Sequence, residues 1–255
     1  MQKNKMIIIA LIILVVIGIG ILSLGYYKKS NEKVQNPIAT IEIKDMGVIK
    51  LELYPNQAPN TVANFIALAN NGFYDDLTFH RIISNFMVQG GDINGDGTGG
   101  PTLADLKEDG LNESYSIYGE FAANGYEKNN LRHEKGVISM ARSDYSNLGL
   151  YEEGYNSAGS QFFIVTESNN QLNGQYTGFG KIIEGLDILD KLAAIEVMAK
   201  DEESEASTPV NPPIITSIRV ETNGVNFGEP ETLQPFDYQT WLMQKYGIDP
   251  SALGQ

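Results

Sequence analysis

An uncharged run of 20 residues, Met6 to Gly25, constrains this chain more than any other feature. A helix of that length covers the ~30 Å of hydrocarbon in a bilayer. A cleaved secretory signal is the alternative, but its apolar region is usually only ~7–15 residues long and ends at a small-residue cleavage site. No A-x-A pattern follows the run, and no Cys near its end could carry a lipid anchor. We therefore expect an uncleaved transmembrane signal anchor within residues 1–29.

The charges on either side of the run leave its orientation nearly balanced. Lys3 and Lys5, with the amino terminus, oppose Lys28, Lys29 and Lys33 on the other side. Short N-terminal tails usually stay in the cytoplasm, and a chain without Cys is suited to export. We expect a single-pass protein of the cell membrane, with a cytoplasmic tip and an extracytoplasmic globular part.

The globular part is strongly acidic. Four of the 18 basic residues lie before residue 30 and all 32 acidic residues follow it, so the body carries a net charge of −18. Such a body is repelled by nucleic acid, and it has no basic stripe with interleaved aromatic residues. The absence of Cys excludes thiol nucleophiles, disulfides and thiolate metal sites, and two His leave little for a zinc site. We expect no nucleic-acid partner, no metal and no cofactor.

Short segments of alternating apolar and polar residues dominate the body after a polar linker at residues 30–37. Ile38–Lys44 and Val48–Tyr54 alternate on either side of an Asp-Met-Gly turn and predict a β-hairpin. Further segments of strand character are Phe79–Ile83, Phe86–Gln89, Val137–Ala141, Phe162–Thr166, Phe179–Ile183 and Ile214–Glu221.

Helical patterns are few. Val62, Phe65, Ile66 and Ala69 recur at helical spacing after a proline and before Asn71-Gly72, and a second short helix is expected at Leu186–Ala194. Asn-Gly pairs begin at residues 71, 94, 124, 173 and 223. Many short strands, few helices and frequent turns favour a mainly β fold, an antiparallel barrel or sandwich.

Several segments do not fit this pattern of strands. Thr102–Tyr115 and Asp144–Asn156 are interpreted as loop insertions, and the acidic, proline-rich segment Lys200–Pro213 is expected to be an exposed loop. The tail after Gly224 contains the only Trp and a possible helix at Phe236–Tyr246.

The tail helix would have an apolar face. One side of it carries Tyr238, Trp241 and Leu242. That side either binds a partner or packs against the barrel. We expect the tail to pack back.

A glycine-rich segment at residues 90–100 permits three interpretations. Asp92, Asn94 and Asp96 have the spacing that opens a calcium loop, but Leu103 occupies the position of the final Glu. The glycines also resemble a phosphate cradle, although no Lys-Ser or Lys-Thr pair follows. A tight loop without a ligand is the third interpretation, and the one we expect.

Strand alternation brings polar and apolar side chains together in two regions. It places Arg81 with Ile83, Met87 with Gln89, and Gln161 with Phe163, each pair on one face of its strand. If these faces converge, an apolar pocket acquires one guanidinium and two amides.

These regions carry a resemblance to a known family. The motifs FHRIISNFMVQGGD, GTGG, GVISMA, SAGSQFFIVT and FGKIIEGLDILDKL occur in one order and resemble the cyclophilin-type peptidyl-prolyl cis-trans isomerases over about residues 38 to 221. The resemblance implies a closed eight-stranded antiparallel β-barrel capped by two α-helices, here within a domain at 38–224 that a C-terminal extension at 225–255 follows. It also implies proline-containing polypeptides as substrates and requires no cofactor.

The resemblance also assigns site residues. It makes Arg81 the catalytic residue and supplies ten substrate-binding positions, which are His80, Phe86, Met87, Gln89, Ala141, Arg142, Gln161, Phe163, Leu172 and Tyr176. Three positions depart from the family's pattern, because Gln171 replaces a frequent Trp, Tyr176 a frequent His and Arg142 a frequent Asn. The first departure puts cyclosporin sensitivity in doubt, and the other two could shift the preference for the substrate residue that precedes the proline. A non-catalytic module that holds proline segments on the same fold remains the alternative function.

Overall fold

The computed structural model describes residues 17–20, 23, 35–199 and 205–247. The chain divides into two compact units, Met1–Gln35 and Asn36–Gln255. Only five residues of the uncharged N-terminal run fall in the described ranges, so most of the predicted membrane anchor lies outside them. Within these ranges, no helix is both long enough and apolar enough to cross a membrane.

Eight strands form one antiparallel sheet, in the order β10-β1-β2-β7-β5-β6-β4-β3. Two further strands, β8 and β9, form a separate small sheet. The strands are β1 (Ile38–Ile43), β2 (Gly47–Leu53), β3 (Arg81–Ile83), β4 (Met87–Gly90), β5 (Val137–Met140), β6 (Phe162–Val165), β7 (Gly178–Glu184), β8 (Val197–Met198), β9 (Thr208–Pro209) and β10 (Ile215–Glu221). The predicted hairpin is confirmed, and the other predicted strands are found within one or two residues of their expected bounds.

The sheet curls but does not close along whole strands, which corrects the prediction of a closed barrel. Its two outer strands are β3 and β10. Among the described residues they meet only where the segment before β3 runs past the start of β10, and there Thr78 bridges Ile214. The N–H of Phe79 donates to the carbonyl of Pro213 at 3.0 Å, and the N–H of Ile215 donates to that of Leu77 at 2.7 Å. The strand β3 is too short, at three residues, to pair with β10 itself.

In the described part of the globular body, five α-helices accompany the sheet, and two of them are the predicted capping helices. The helices are α1 (Pro59–Asn70), α2 (Leu103–Leu106), α3 (Tyr151–Tyr155), α4 (Leu186–Ala193) and α5 (Tyr238–Tyr246), with 3-10 turns at Ala122–Asn124, Ser146–Leu148 and Asn170–Leu172. Helix α1 packs on β10, and α4 packs on β2, β3 and β4. Both predicted insertions therefore contain a helical turn rather than loop alone.

The main core lies between the sheet and these helices. Phe65 of α1 packs against the rings of Tyr74, Phe162 and Phe179 with centroids 5.2 to 5.8 Å apart. All four side chains are fully buried. Burying each aromatic side chain stabilises the fold by about 1.5–3 kcal/mol before the entropy of ordering is counted.

The sequence predicted an exposed loop at residues 200–213, and this prediction is wrong for part of the segment. Within its described part, Thr208 and Pro209 pair with β8. The N–H of Ile82 in β3 also donates to the carbonyl of Ser207 at 2.7 Å. This pairing covers part of the outer strand that carries Arg81.

The C-terminal tail packs back onto the body, as expected. The carbonyl and N–H of Leu233 both hydrogen-bond to the backbone of Ser116, at 3.0 and 2.7 Å. The side chain of Asn60, at the start of α1, makes two hydrogen bonds with the backbone of Glu231 at 2.9 and 2.7 Å. Helix α5 then begins at Tyr238.

Candidate functional site

Arg81 lies at the start of β3, where strand pairing determines its neighbours. Arg81 pairs with Gln89 in β4, and Gln89 pairs with Phe163 in β6. The guanidinium of Arg81 donates to Oε1 of Gln89 at 3.3 Å, and Nε2 of Gln89 donates to Oε1 of Gln161 at 2.9 Å. One guanidinium and two amides therefore form a continuous row across three segments of the chain.

The glycine-rich loop fixes the far end of this row. Nε2 of Gln161 donates to the carbonyl oxygens of Gly99 and Gly97 at 2.8 and 3.1 Å. The loop is itself held by the buried carboxylate of Asp92, which accepts from the N–H groups of Asn94 and Gly97. A Cβ at Gly99 would lie only 2.1 Å from Oδ1 of Asp92, so no larger residue fits there.

A small apolar cluster lies beside the row. The structure brings together five of the ten substrate-binding positions that the resemblance implied, because the buried Met87, Phe163 and Leu172 pack with the partly exposed Phe86 and Tyr176. Val137 and Val165 complete its buried side, and Ile83, Leu131 and Ala141 lie at its edge. The rings of Phe163 and Tyr176 meet edge to face at 5.5 Å.

His133 supports this apolar cluster, and its ring is almost parallel to that of Phe163, with centroids 6.3 Å apart. Oδ1 of Asn173 accepts the backbone N–H of His133 at 2.8 Å and faces its Nδ1 at 3.2 Å. Because that oxygen can only accept, Nδ1 carries the ring proton and Nε2 accepts from the hydroxyl of Ser139 at 2.7 Å. Burial lowers the pKa of His133, against the opposing effect of the hydrogen bond with Asn173.

Arg142 connects the apolar cluster to the inserted segment. Its guanidinium carbon lies 4.5 Å from the ring centre of Tyr176 and 4.9 Å from that of Tyr155 in α3. Its Nε and NH1 donate to the carbonyl oxygens of Gln175 and Ser143 at 3.1 and 3.0 Å. Arg142 therefore orients Tyr176 as well as carrying charge.

His80 is one of four largely buried residues among the predicted substrate-binding positions, with Met87, Phe163 and Leu172. It precedes β3 and is only 8% exposed. Ala141, by contrast, is partly exposed at the end of β5, and its N–H donates to the backbone oxygen of Gln161 at 2.9 Å.

Arg81 is charged under all physiological conditions. Burial lowers its pKa, and the nearby Glu205 and Tyr176 act in the opposite direction. An arginine side chain retains its proton even so, because its pKa in water lies near or above 12. The row thus presents a permanent cation at the edge of an apolar surface.

The calcium interpretation of the glycine-rich loop finds no support in its geometry. The carboxylate of Asp96 accepts from the N–H and hydroxyl of Thr98 at 2.9 and 2.6 Å. Together with Asp92, it is used within the loop. Across the described ranges of the chain, no group of three or more His, Cys, Asp or Glu is placed to hold a metal ion.

A cavity of about 410 Å³ adjoins the row. Gln89, Ala141 and Gln161 line it, as do Pro235 and Phe236 from the C-terminal tail. The site therefore has two neighbouring surfaces, one apolar and one mainly polar.

Sequence reasoning missed the roles of His133 and Phe236 and the hydrogen bonds that the carbonyl groups of Gly97 and Gly99 accept. The run of glycines before residue 100 was a signal for the loop, but nothing in it indicated that the loop carbonyls accept from Gln161. The aromatic residues of the tail were evident in the sequence, but nothing in it indicated that Phe236 lies beside the same cavity as Gln89.

Comparisons with known proteins agree on one family. The model of the cyclophilin type peptidyl-prolyl cis-trans isomerases matches residues 38–220. Peptidyl-prolyl cis-trans isomerase B of Bacillus subtilis is 42% identical over 156 residues, which is 61% of this chain and 90% of that protein. A peptidyl-prolyl cis-trans isomerase of Synechococcus elongatus is 37% identical over 162 residues, covering 60% of this chain and 92% of the relative.

A solved structure adds the fold. The cyclophilin type peptidyl-prolyl cis-trans isomerase of Cryptosporidium parvum, crystallised in the presence of the dipeptide Ala-Pro, is 31% identical with a TM-score of 0.56. The similarity covers 72% of this chain and 98% of that one. From motifs, fold and relatives together, the chain belongs to the cyclophilin-type peptidyl-prolyl cis-trans isomerases.

Proposed function

We propose that this isomerase accelerates rotation about Xaa-Pro bonds at the row of Arg81, Gln89 and Gln161, in polypeptides on the outer side of a membrane. The observation that carries the proposal is the hydrogen-bonded row itself, with its cation at the edge of the apolar cluster. Uncatalysed isomerisation takes tens to hundreds of seconds and limits the folding of many chains.

The reaction requires no nucleophile and no proton transfer. Rotation about a peptide bond costs ~18–20 kcal/mol because resonance gives the C–N bond partial double-bond character. In the twisted transition state the prolyl nitrogen becomes pyramidal and regains a lone pair. A guanidinium N–H of Arg81 can donate to that lone pair, and the planar ground state offers no such acceptor. A hydrogen bond that forms only in the transition state lowers the barrier.

The rest of the site makes the rotation productive. The apolar cluster would hold the pyrrolidine ring, and Gln89 would orient both Arg81 and the peptide backbone. Holding one side of the bond while the other turns converts binding into catalysis. The guanidinium needs no change of protonation, so activity is expected to be flat around neutral pH.

The outer side of a membrane is proposed from the sequence. The uncharged run from Met6 to Gly25 supports an anchor, and the absence of Cys suits a globular part that is exported. Unfolded exported chains are the substrates that such a location would provide.

The test is a substitution of Arg81 in the full-length protein, purified in detergent micelles. We expect Arg81→Ala to lower kcat/KM for an Ala-Pro peptide by about 100-fold to 1,000-fold, the usual cost of one transition-state hydrogen bond donor. Arg81→Lys keeps the charge but loses the planar fork that engages Gln89, so its activity is expected to be intermediate. Exchange spectroscopy by NMR measures the rate directly.

Arg132→Ala is the matched control, because Arg132 is exposed. An Arg81→Ala protein that isomerises the peptide at the wild-type rate would refute the role of Arg81. A wild-type protein that broadens the peptide signals without cis-trans exchange peaks would instead identify a binding module.

A further inference from the structure

The C-terminal segment at residues 229–241, which we term the strap, runs from the start of α1 to the cavity beside the row. Asn60 holds it at Glu231, and Ser116 holds it at Leu233, each through two hydrogen bonds. An exposed ion pair between Lys107 and Glu229, 3.6 Å apart, adds little. Four hydrogen bonds to two separate parts of the body fix the course of the strap.

Aromatic stacking fixes the end of the strap against the inserted segment. The ring of Tyr145 stacks on that of Tyr238 at 5.4 Å with an interplanar angle of 5°. It also contacts Phe236 at 5.7 Å, and Phe236 in turn lies 6.3 Å from Trp241. Aromatic pairs of this kind contribute about 0.5–1.5 kcal/mol each beyond the area that they bury. The strap and the insertion therefore support one another.

Between its two fixed ends, the strap forms one side of the cavity. Pro235 and Phe236 line this cavity together with Gln89 and Gln161 of the row. About 410 Å³ remains open, a volume within the range of ligand pockets. The strap therefore forms a wall of the cavity and leaves its interior open.

The lining of the cavity favours certain side chains. Arg142 is the cation among the described lining residues, and none of them is an acid. Hydroxyl groups come from five lining serines. The lining of the cavity therefore lacks the carboxylates that are abundant in the rest of the body, whose net charge is −18. An uncharged or acidic side chain is accepted there more readily than a Lys or Arg.

We propose that the strap is part of the substrate site, where Phe236 limits the size of a peptide side chain next to the isomerised proline. The occupant is an uncharged or acidic side chain of the polypeptide whose proline lies on the apolar cluster. This inference rests on the proposed function, because it requires that the peptide backbone follow the row. It makes the C-terminal extension a determinant of substrate choice.

The test compares substrates of graded size in the full-length protein. Short peptides keep one Ala-Pro pair and carry Ala, Leu, Phe or Trp in turn at each flanking position, and NMR exchange gives kcat/KM for each. At one flanking position, Phe236→Ala is expected to raise kcat/KM for the Phe and Trp peptides relative to the Ala peptide by about tenfold. Phe236→Trp is expected to shift the same ratio in the opposite direction.

Tyr246→Ala is the matched control, since Tyr246 lies at the far end of α5 and is 68% exposed. Hydrogen exchange at the N–H of Leu233, which is bonded to Ser116, reports whether the strap of each variant stays in place. If the strap of Phe236→Ala detaches, Phe236→Trp still tests the proposal. Unchanged ratios at every flanking position in a variant with an intact strap would overturn it.

The two proposals fail in different ways. A wild-type protein that isomerises none of the peptides contradicts the proposed function. A wild-type protein that isomerises them, with selectivity that neither Phe236 variant alters, contradicts the role of the strap alone.

Discussion

His133 stacks on Phe163, so the protonation state of one residue bears on the whole apolar cluster. His133 is 2% exposed, and in the neutral imidazole Nδ1–H donates to Asn173 while Nε2 accepts from the Ser139 hydroxyl. Protonation would turn Nε2 into a donor next to the Ser139 hydroxyl, which would then have to reorient. It would also place a charge within 6.3 Å of the Phe163 ring centre.

We predict that His133 makes stability fall as pH falls. Burial lowers its pKa in the folded state below 6.5, so the unfolded chain binds more protons. Its stabilising effect is therefore complete above pH ~6.5 and is lost as pH falls towards the folded pKa, with about 1.4 kcal/mol for each unit of pKa shift. Urea unfolding between pH 7 and 5 measures this effect. His133→Gln is expected to lose less stability over that interval than the wild type, and an equal loss in both proteins would contradict the prediction.

At this scale the sequence predicted some positions well. Period-two alternation placed Arg81, Gln89 and Gln161 each with an apolar neighbour on one face of its strand. The resemblance to a known family then implied that these faces converge, and the structure brings the three side chains together. His133 lies outside any strand, and its stacking on Phe163 depends on a long-range contact that periodicity does not encode. Its position could be found only from the folded chain.

Helix α1 shows how an element can depend on a distant residue. Its N-cap is Ala58, whose side chain cannot accept a hydrogen bond. The buried carboxylate of Glu120 accepts from the N–H groups of Asn60 and Thr61 at 3.1 and 2.8 Å instead. Burial raises the pKa of Glu120, and these hydrogen bonds oppose the rise. The carboxylate also places negative charge at the positive end of the helix.

We predict that Glu120→Ala destabilises the protein by about 2–3 kcal/mol, because two N–H groups lose their acceptor in the interior. Glu120→Gln keeps one acceptor oxygen and is expected to cost less. Glu127→Ala is the matched control, since Glu127 is exposed, and we expect it to stay within about 0.5 kcal/mol of the wild type. Chemical denaturation gives all three values. Equal stability of the Ala variant and the wild type would mean that Glu120 does not cap α1.

Element bounds were predictable where the pattern was long. Strands β1, β2 and β10 have six or seven residues and were found close to their expected positions. Strand β9 has only two residues, too few for any periodicity, and it forms because β8 and β3 lie beside it. The incomplete closure of the sheet could not be predicted either, because it depends on β3, an edge strand of three residues that is too short to show a periodicity.

At the scale of the whole molecule, the family covers only part of the chain. The expected resemblance at residues 38 to 221 and the matched range 38–220 agree almost to the residue. The strap and the apolar N-terminal run both lie outside it. The motifs could therefore predict the common fold and the row, but not the wall that the C-terminal extension adds to the cavity.

The N-terminal run leads to a prediction about the whole protein. Because the body carries a net charge of −18, anionic lipids repel it and cannot attract it to a membrane. Any stable membrane association must then come from the first 29 residues and be insensitive to salt. We expect the full-length protein to sediment with membranes after high-salt and alkaline washes, and a protein lacking residues 1–29 to stay in the supernatant with its isomerase activity.

A variant lacking residues 226–255 is the control and should sediment. Protease added to intact cells without an outer barrier should then remove the body. Full-length protein in the washed supernatant would exclude an anchor, and complete protection of a sedimenting protein would place the body inside.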